Sequence, residues 1–212
     1  MTSCADLAAE RLAARRGYAT LFADVQFSIA LGSALIVTGA NGSGKTTLLR
    51  IVAGLTAPVD GEIRWQGEAM RPFDSRMREI VAFNGHLPAL KDELSAEENL
   101  RAWIALDDRV PAGDAVVDAL DAVALASKRR LPVRVLSHGQ RRRIALARLR
   151  LVRRPLWILD EPLTALDAAG VDALGALLDA HLSSGGLCIA ASHHPLPIAS
   201  EHVRTLALGT PA

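Results

Sequence analysis

The sequence predicts an α/β fold with its ligand site at the carboxyl edge of an open sheet, and three observations carry that prediction. The octet Gly39-Ala40-Asn41-Gly42-Ser43-Gly44-Lys45-Thr46 fits G-x-x-x-x-G-K-[ST], in which backbone N–H groups wrap a phosphate and the lysine reaches its outer oxygens. Leu156-Trp157-Ile158-Leu159 is a continuous apolar run ending in Asp160-Glu161-Pro162, the pattern of a strand buried on both faces with acids at its end. A second apolar run, Leu187-Cys188-Ile189-Ala190-Ala191, leads into Ser192-His193-His194. Open α/β sheets bind their ligands at this edge.

Taken in chain order, Leu35-Ile36-Val37-Thr38 reads as a short buried strand before the octet. After it, Leu48, Leu49, Ile51, Val52 and Leu55 recur at helical spacing, with Gly54 as a stop. A loop joining strand to helix points free N–H groups and the positive end of the helix dipole at a phosphate. Lys45 is expected to bridge β- and γ-phosphates and the Thr46 hydroxyl to ligate Mg²⁺. Gly39, Asn41, Gly42, Ser43, Gly44 and Thr47 complete the expected nucleotide contacts.

Further along, Asp107-Asp108-Arg109-Val110-Pro111-Ala112-Gly113 reads as a loop, and Val116, Leu120, Val123 and Leu125 as the apolar face of the next helix. Seven arginines fall between Arg141 and Arg154. Apolar residues repeat through the same stretch (Ile144, Ala147, Leu151 and Ala145, Leu149, Val152), so it reads as an amphipathic helix with a charged face. No aromatic residues interleave with those arginines and the net charge is only +1, so nucleic acid is not an expected partner. At the acid pair, Asp160 is expected to hold Mg²⁺, through water, and Glu161 to polarise the attacking water. His193, directly after its strand and Ser192, is preferred over His194 as the group that senses the γ-phosphate and orients that water.

With 212 residues, no internal repeat and no low-complexity linker, the chain is expected to form one unit spanning 1–212. Half its residues are hydrophobic, yet no run approaches the about eighteen uninterrupted apolar residues of a membrane span, and Met1 to Arg16 mixes charges with alanines. A cytosolic protein is the expectation. Cys4 and Cys188 have no metal-ligand spacing and read as free thiols.

The order of phosphate loop, Leu136-Ser137-His138-Gly139-Gln140, acid strand, Ala165-Leu166-Asp167 and His193 resembles the ATPase subunits of ABC transporters over nearly the whole chain. The resemblance implies a phosphate-loop NTPase of the ABC type. Its parts would be an antiparallel β-lobe (about 1–35 and 57–70), a phosphate-loop core and an inserted helical lobe (about 92–150). It also implies ATP as the nucleotide and a sandwich dimer, in which Ser137, Gly139 and Gln140 of a second copy complete each site and Asp167 links the two sites. ATP-driven closure would then move a separate integral membrane subunit.

Within that family, the segments 85–100, 140–149 and 156–167 are similar to the haem-exporter ATP-binding subunits of cytochrome c maturation. This implies membrane partners of that system and a peripheral position on the cytoplasmic face of the bacterial inner membrane. Rival expectations are the ATPase of another small ABC transporter and a soluble, non-transport ABC ATPase.

The chain departs from the usual ABC pattern at two histidines. His86 stands where glutamine ligates Mg²⁺ and meets the membrane partner at a hinge, and the haem-exporter subunits also look Gly-His there. A histidine can take that role only when neutral, so acid should lower activity; the other reading packs His86 beneath the hinge. His138 replaces a signature glycine and adds bulk near the ATP interface. For the adenine-stacking position that the family places upstream of the phosphate loop, spacing puts Arg16 there and Tyr18, the only tyrosine, lies two residues on; either could stack on the base, since a guanidinium plane can do so too.

Overall fold

A computed structural model describes residues 6–106 and 114–209. Cys4 and the expected loop at 107–113 lie outside them. The chain opens as a hairpin, β1 (Leu7–Arg16) and β2 (Ala19–Ile29), that turns at Gly17 with φ +60. β3 (Ala34–Thr38) feeds the phosphate loop and α1 (Lys45–Val52), after which β4 (Asp60–Trp65) and β5 (Glu68–Met70) return to the hairpin. These strands form a four-stranded antiparallel sheet in the order β2-β1-β4-β5. It is the β-lobe that the resemblance implied.

The short α2 (Met77–Ile80) precedes β6 (Val81–Asn84), and the helices α3 (Ala96–Ile104), α4 (Ala115–Asp121) and α5 (His138–Val152) follow. β7 (Leu156–Asp160), α6 (Ala168–Ser183), β8 (Leu187–Ala191) and β9 (Val203–Ala207) complete the chain. The second sheet is five-stranded and parallel throughout, ordered β6-β7-β8-β3-β9.

Its central strands explain why their sequences are apolar without a break. Leu156 and Ile158 of β7 pack with α1 and the β-lobe, while Trp157 and Leu159 pack with the helices on the other face. β8 and β3 alternate in the same way: Ile189 and Leu35 face α1, Cys188 and Ile36 face the helices. Side chains on a strand point to opposite faces in turn, so a strand covered on both sides needs apolar residues at every position.

Three helix starts are fixed by side-chain caps that satisfy otherwise unpaired N–H groups. Ser95 with Glu98 and Ser137 with Gln140 form reciprocal capping boxes on α3 and α5, and Asp167 caps α6 through Gly170.

The structure differs from the sequence expectation in three places. α1 stops at Val52, and Leu55 lies beyond the Gly54 turn, partly exposed. α4 stops at Asp121, because Ala124 takes a left-handed backbone, and Val123 and Leu125 enter the core from the following turn. The arginine-rich helix does not keep all its charge on a solvated face: Arg142 and Arg143 are 3 % and 7 % exposed.

Candidate nucleotide site

Four parallel strands deliver chemistry to one edge. β3 ends in the phosphate loop, β6 in Gly85-His86, β7 in Asp160-Glu161 and β8 in Ser192-His193. In the loop, Gly42 and Gly44 have φ of +84 and +98, and a Cβ on Gly44 would stand 2.9 Å from the Phe22 ring. Only glycine meets both demands without strain. Lys45 Nζ donates to the carbonyls of Gly39 (2.8 Å) and Ala40 (3.1 Å), which folds the side chain across its own loop.

The Thr46 hydroxyl donates to Asp160 Oδ2 at 3.0 Å, so the two residues expected to share a metal are already neighbours. Glu161 has φ +50, and its N–H donates to Ala191 O at 2.9 Å, tying β7 to β8 beyond the end of β7. His193 Nε2 stands 3.4 Å from Glu161 Oε1. One cleft of about 290 Å³ is lined by Asn41, Gly42, Gly44, Lys45, Thr46 and Thr47 of the loop, and by Arg16, Leu21, His86, Asp160, Glu161 and His193.

Two features fit these residues to a nucleotide and its metal. Ser43 Oγ is buried in the loop with no hydrogen-bond partner among the described residues, a donor with room for an acceptor. Thr46 and Asp160 offer only oxygen, the donor set of a hard cation such as Mg²⁺.

The structure separates several candidates that the sequence left open. Arg16 lines the cleft, whereas Tyr18 is fully exposed and away from it. His86 is exposed and lines the cleft. His194 is not among the residues lining the cleft; its N–H donates to Ser192 Oγ and its carbonyl accepts from the same hydroxyl.

Ser137, Gly139 and Gln140 are not among the residues lining this cleft. His138, Gly139 and Gln140 form the first turn of α5 rather than a loop, and Gln140 Oε1 accepts from Ser137 N–H at 3.1 Å. A Cβ on Gly139 would stand 2.5 Å from Ala165 O, so this position is held to glycine by the segment before Asp167. His138 is exposed.

Sequence reasoning missed Arg142. Its Nη1 donates to Gly85 O (2.7 Å) and His86 O (2.8 Å), and its Nη2 to Asp160 O (2.7 Å) and Glu161 O (2.8 Å). Burial lowers its pKa while the carboxylates of Asp160 and Glu161 act the other way. Arg143 beside it donates to Asp167 Oδ2 (3.0 Å) and Val123 O (3.3 Å). An arginine among six others gives no signal in sequence that it is buried.

The fold is that of an ATP-binding cassette. The ABC transporter family profile matches residues 22–164. The chain is 46 % identical to the cytochrome c biogenesis ATP-binding export protein CcmA of Nitrosomonas europaea, covering 95 % of each chain. It is also 46 % identical to CcmA of Pseudomonas aeruginosa, covering 91 % of this chain and 96 % of that one. Among solved structures, an ATP-binding subunit of an ABC transporter superposes with a TM-score of 0.82 at 23 % identity, covering 96 % of this chain and 86 % of that one. A dimeric cassette in a post-hydrolysis state, bound to ADP and Pi, gives 0.75 at 22 % identity, covering 89 % and 88 %. The chain belongs to the ABC transporter family, in the group of ATP-binding subunits whose curated relatives carry the name CcmA.

Proposed function

We propose that this chain is the ATP-hydrolysing subunit of an ABC export complex serving c-type cytochrome biogenesis, in the export or delivery of haem. The observation that carries the hydrolytic reading is the convergence of Lys45, Thr46, Asp160, Glu161 and His193 on one cleft at the edge of the parallel sheet. The names of relatives at 44–46 % identity over nearly the whole chain support the pathway.

In this reading the loop N–H groups and Lys45 hold the β- and γ-phosphates, with Ser43 Oγ donating to one of their oxygens. Lys45 must first leave the carbonyls of Gly39 and Ala40, whose contacts the phosphate oxygens replace. Thr46 and Asp160 would hold Mg²⁺, and the ion would supply positive charge against that developing on the phosphate oxygens. Glu161 accepts a hydrogen bond from the attacking water, and His193 beside it holds that carboxylate and the water in line with the phosphorus. Arg16, which lines the cleft, would be the residue to stack its guanidinium plane on the base.

Ser137, Gly139 and Gln140 complete the site of a second copy of the chain, with Asp167 between the two sites. His86 lies where the cleft meets the hinge to a separate membrane subunit. No helix among the described residues is long and apolar enough to cross a membrane, which fits a subunit that docks on the cytoplasmic face of the inner membrane.

The test is a tagged pull-down from membranes, read by mass spectrometry and run beside Glu161→Gln, which should hold the ATP-bound complex together. Recovery of cytochrome c maturation membrane proteins supports the proposal. Recovery of an unrelated permease overturns the pathway, and a purely soluble dimer overturns the transporter role.

A further inference from the structure

We propose that Arg142 is a positioning residue for hydrolysis: one guanidinium sets the backbone direction of both the hinge histidine and the catalytic glutamate. The argument lies in which carbonyls it holds. Gly85 O and His86 O belong to the two peptide units on either side of the His86 Cα. Asp160 O and Glu161 O belong to the two on either side of the Glu161 Cα. Four donor contacts of 2.7–2.8 Å therefore fix both planes at each residue, and with them the direction in which each side chain leaves the backbone.

Glu161 has particular need of such a restraint. Its φ of +50 lies in the left-handed region, which a residue with a Cβ adopts only when its surroundings hold it there. The peptide before it is also tied through the Glu161 N–H to Ala191 O. The peptide after it ends at Pro162, which has no N–H, so its carbonyl is the only polar handle on that plane. Arg142 holds that handle.

Arginine suits this task for a physical reason. Its rigid planar fork places two donors on one pair of carbonyls and two on another, which neither lysine nor glutamine can reproduce. Arg142 is also the fifth residue of α5, whose first turn carries the signature sequence. The guanidinium thus joins three things that must move together: the signature helix, the hinge at His86 and the acid at Glu161. Glutamate misdirected by a fraction of an ångström still permits nucleotide binding, which rests on the phosphate loop, but it slows the chemical step.

The proposal rests on Glu161 being the hydrolytic group, and the experiment separates the two. ATP hydrolysis is measured on the full chain, in the complex in which it is isolated, for the parent, Arg142→Lys, Arg142→Gln and Glu161→Gln. Both Arg142 variants should lower kcat by about tenfold or more while KM stays within about threefold, the signature of misplacement rather than lost binding. Lysine keeps the charge, so a loss in Arg142→Lys assigns the effect to the fork. The proposal is overturned if kcat stays within about twofold of the parent, if the loss lies in KM, or if both variants lose their helical circular dichroism, which would make Arg142 a residue of the fold. Hydrolysis that survives in Glu161→Gln would instead remove the assignment of Glu161.

Discussion

Ser43 is 4 % exposed and its hydroxyl has no partner among the described residues. Leaving such a donor unpaired costs about 1–3 kcal/mol, and a phosphate oxygen would remove that cost. Ser43→Ala should therefore melt no lower than the parent without nucleotide, yet gain less in Tm from saturating ATP. A variant with a lower nucleotide-free Tm and an unchanged ATP-induced gain would show that the hydroxyl supports the loop instead. Gly139 makes a second prediction at this scale. A methyl group there meets Ala165 O at 2.5 Å, so Gly139→Ala should lower stability by about 1–3 kcal/mol in urea titrations. The glycines and Lys45 of the loop were legible because their pattern is contiguous and its mechanism local. Arg142 was not, since its acceptors lie 56 and 57 residues before it and 18 and 19 after it, and a buried arginine spells the same as an exposed one.

In the last turn of α6, the His181 ring stacks on Trp157 of β7 at 3.9 Å and its Nε2 meets Leu187 O of β8 at 3.0 Å. Burial lowers the pKa of His181, against a smaller pull upward from the carbonyls of Leu187 and Pro155. An unfolded histidine takes its proton near pH ~6.5, the folded one only at lower pH, so the unfolded chain binds more protons in between. This contribution to stability is complete above pH ~6.5 and is lost as pH falls through the depressed folded value. Urea midpoints at pH 7.5 and 5.5 should accordingly fall further for the parent than for His181→Phe; an equal fall in both would remove His181 as the cause. Cys188 in β8 is fully buried and its thiol is pushed up to about 12. In a Cys4→Ser background, it should react with an aromatic disulfide at pH 8 only as fast as the protein opens. The strands themselves were legible because burial on both faces writes an apolar run. The ends of α1 and α4 were not, because there an apolar residue joins the core from a turn as readily as from a helix.

For the whole molecule, the proposed sandwich predicts that Glu161→Gln shifts from monomer to dimer in light scattering when ATP is added, and stays monomeric with ADP. An unchanged mass with ATP would argue against shared sites. Motif order disclosed the family, because each motif is a short local pattern. The signature segment was less legible: Ser137 and Gln140 cap α5 within their own chain, a task that sequence alone did not separate from service to a second copy. The alternation along β3, β7 and β8 divides the labour of packing between two layers. Neighbouring residues such as Trp157 and Ile158 belong to different packing layers, one with the helices and one with α1 and the β-lobe. A substitution at Trp157 is therefore expected to be compensated among the helices and one at Ile158 beside α1, so the two faces of a single strand can be repacked by separate sets of changes.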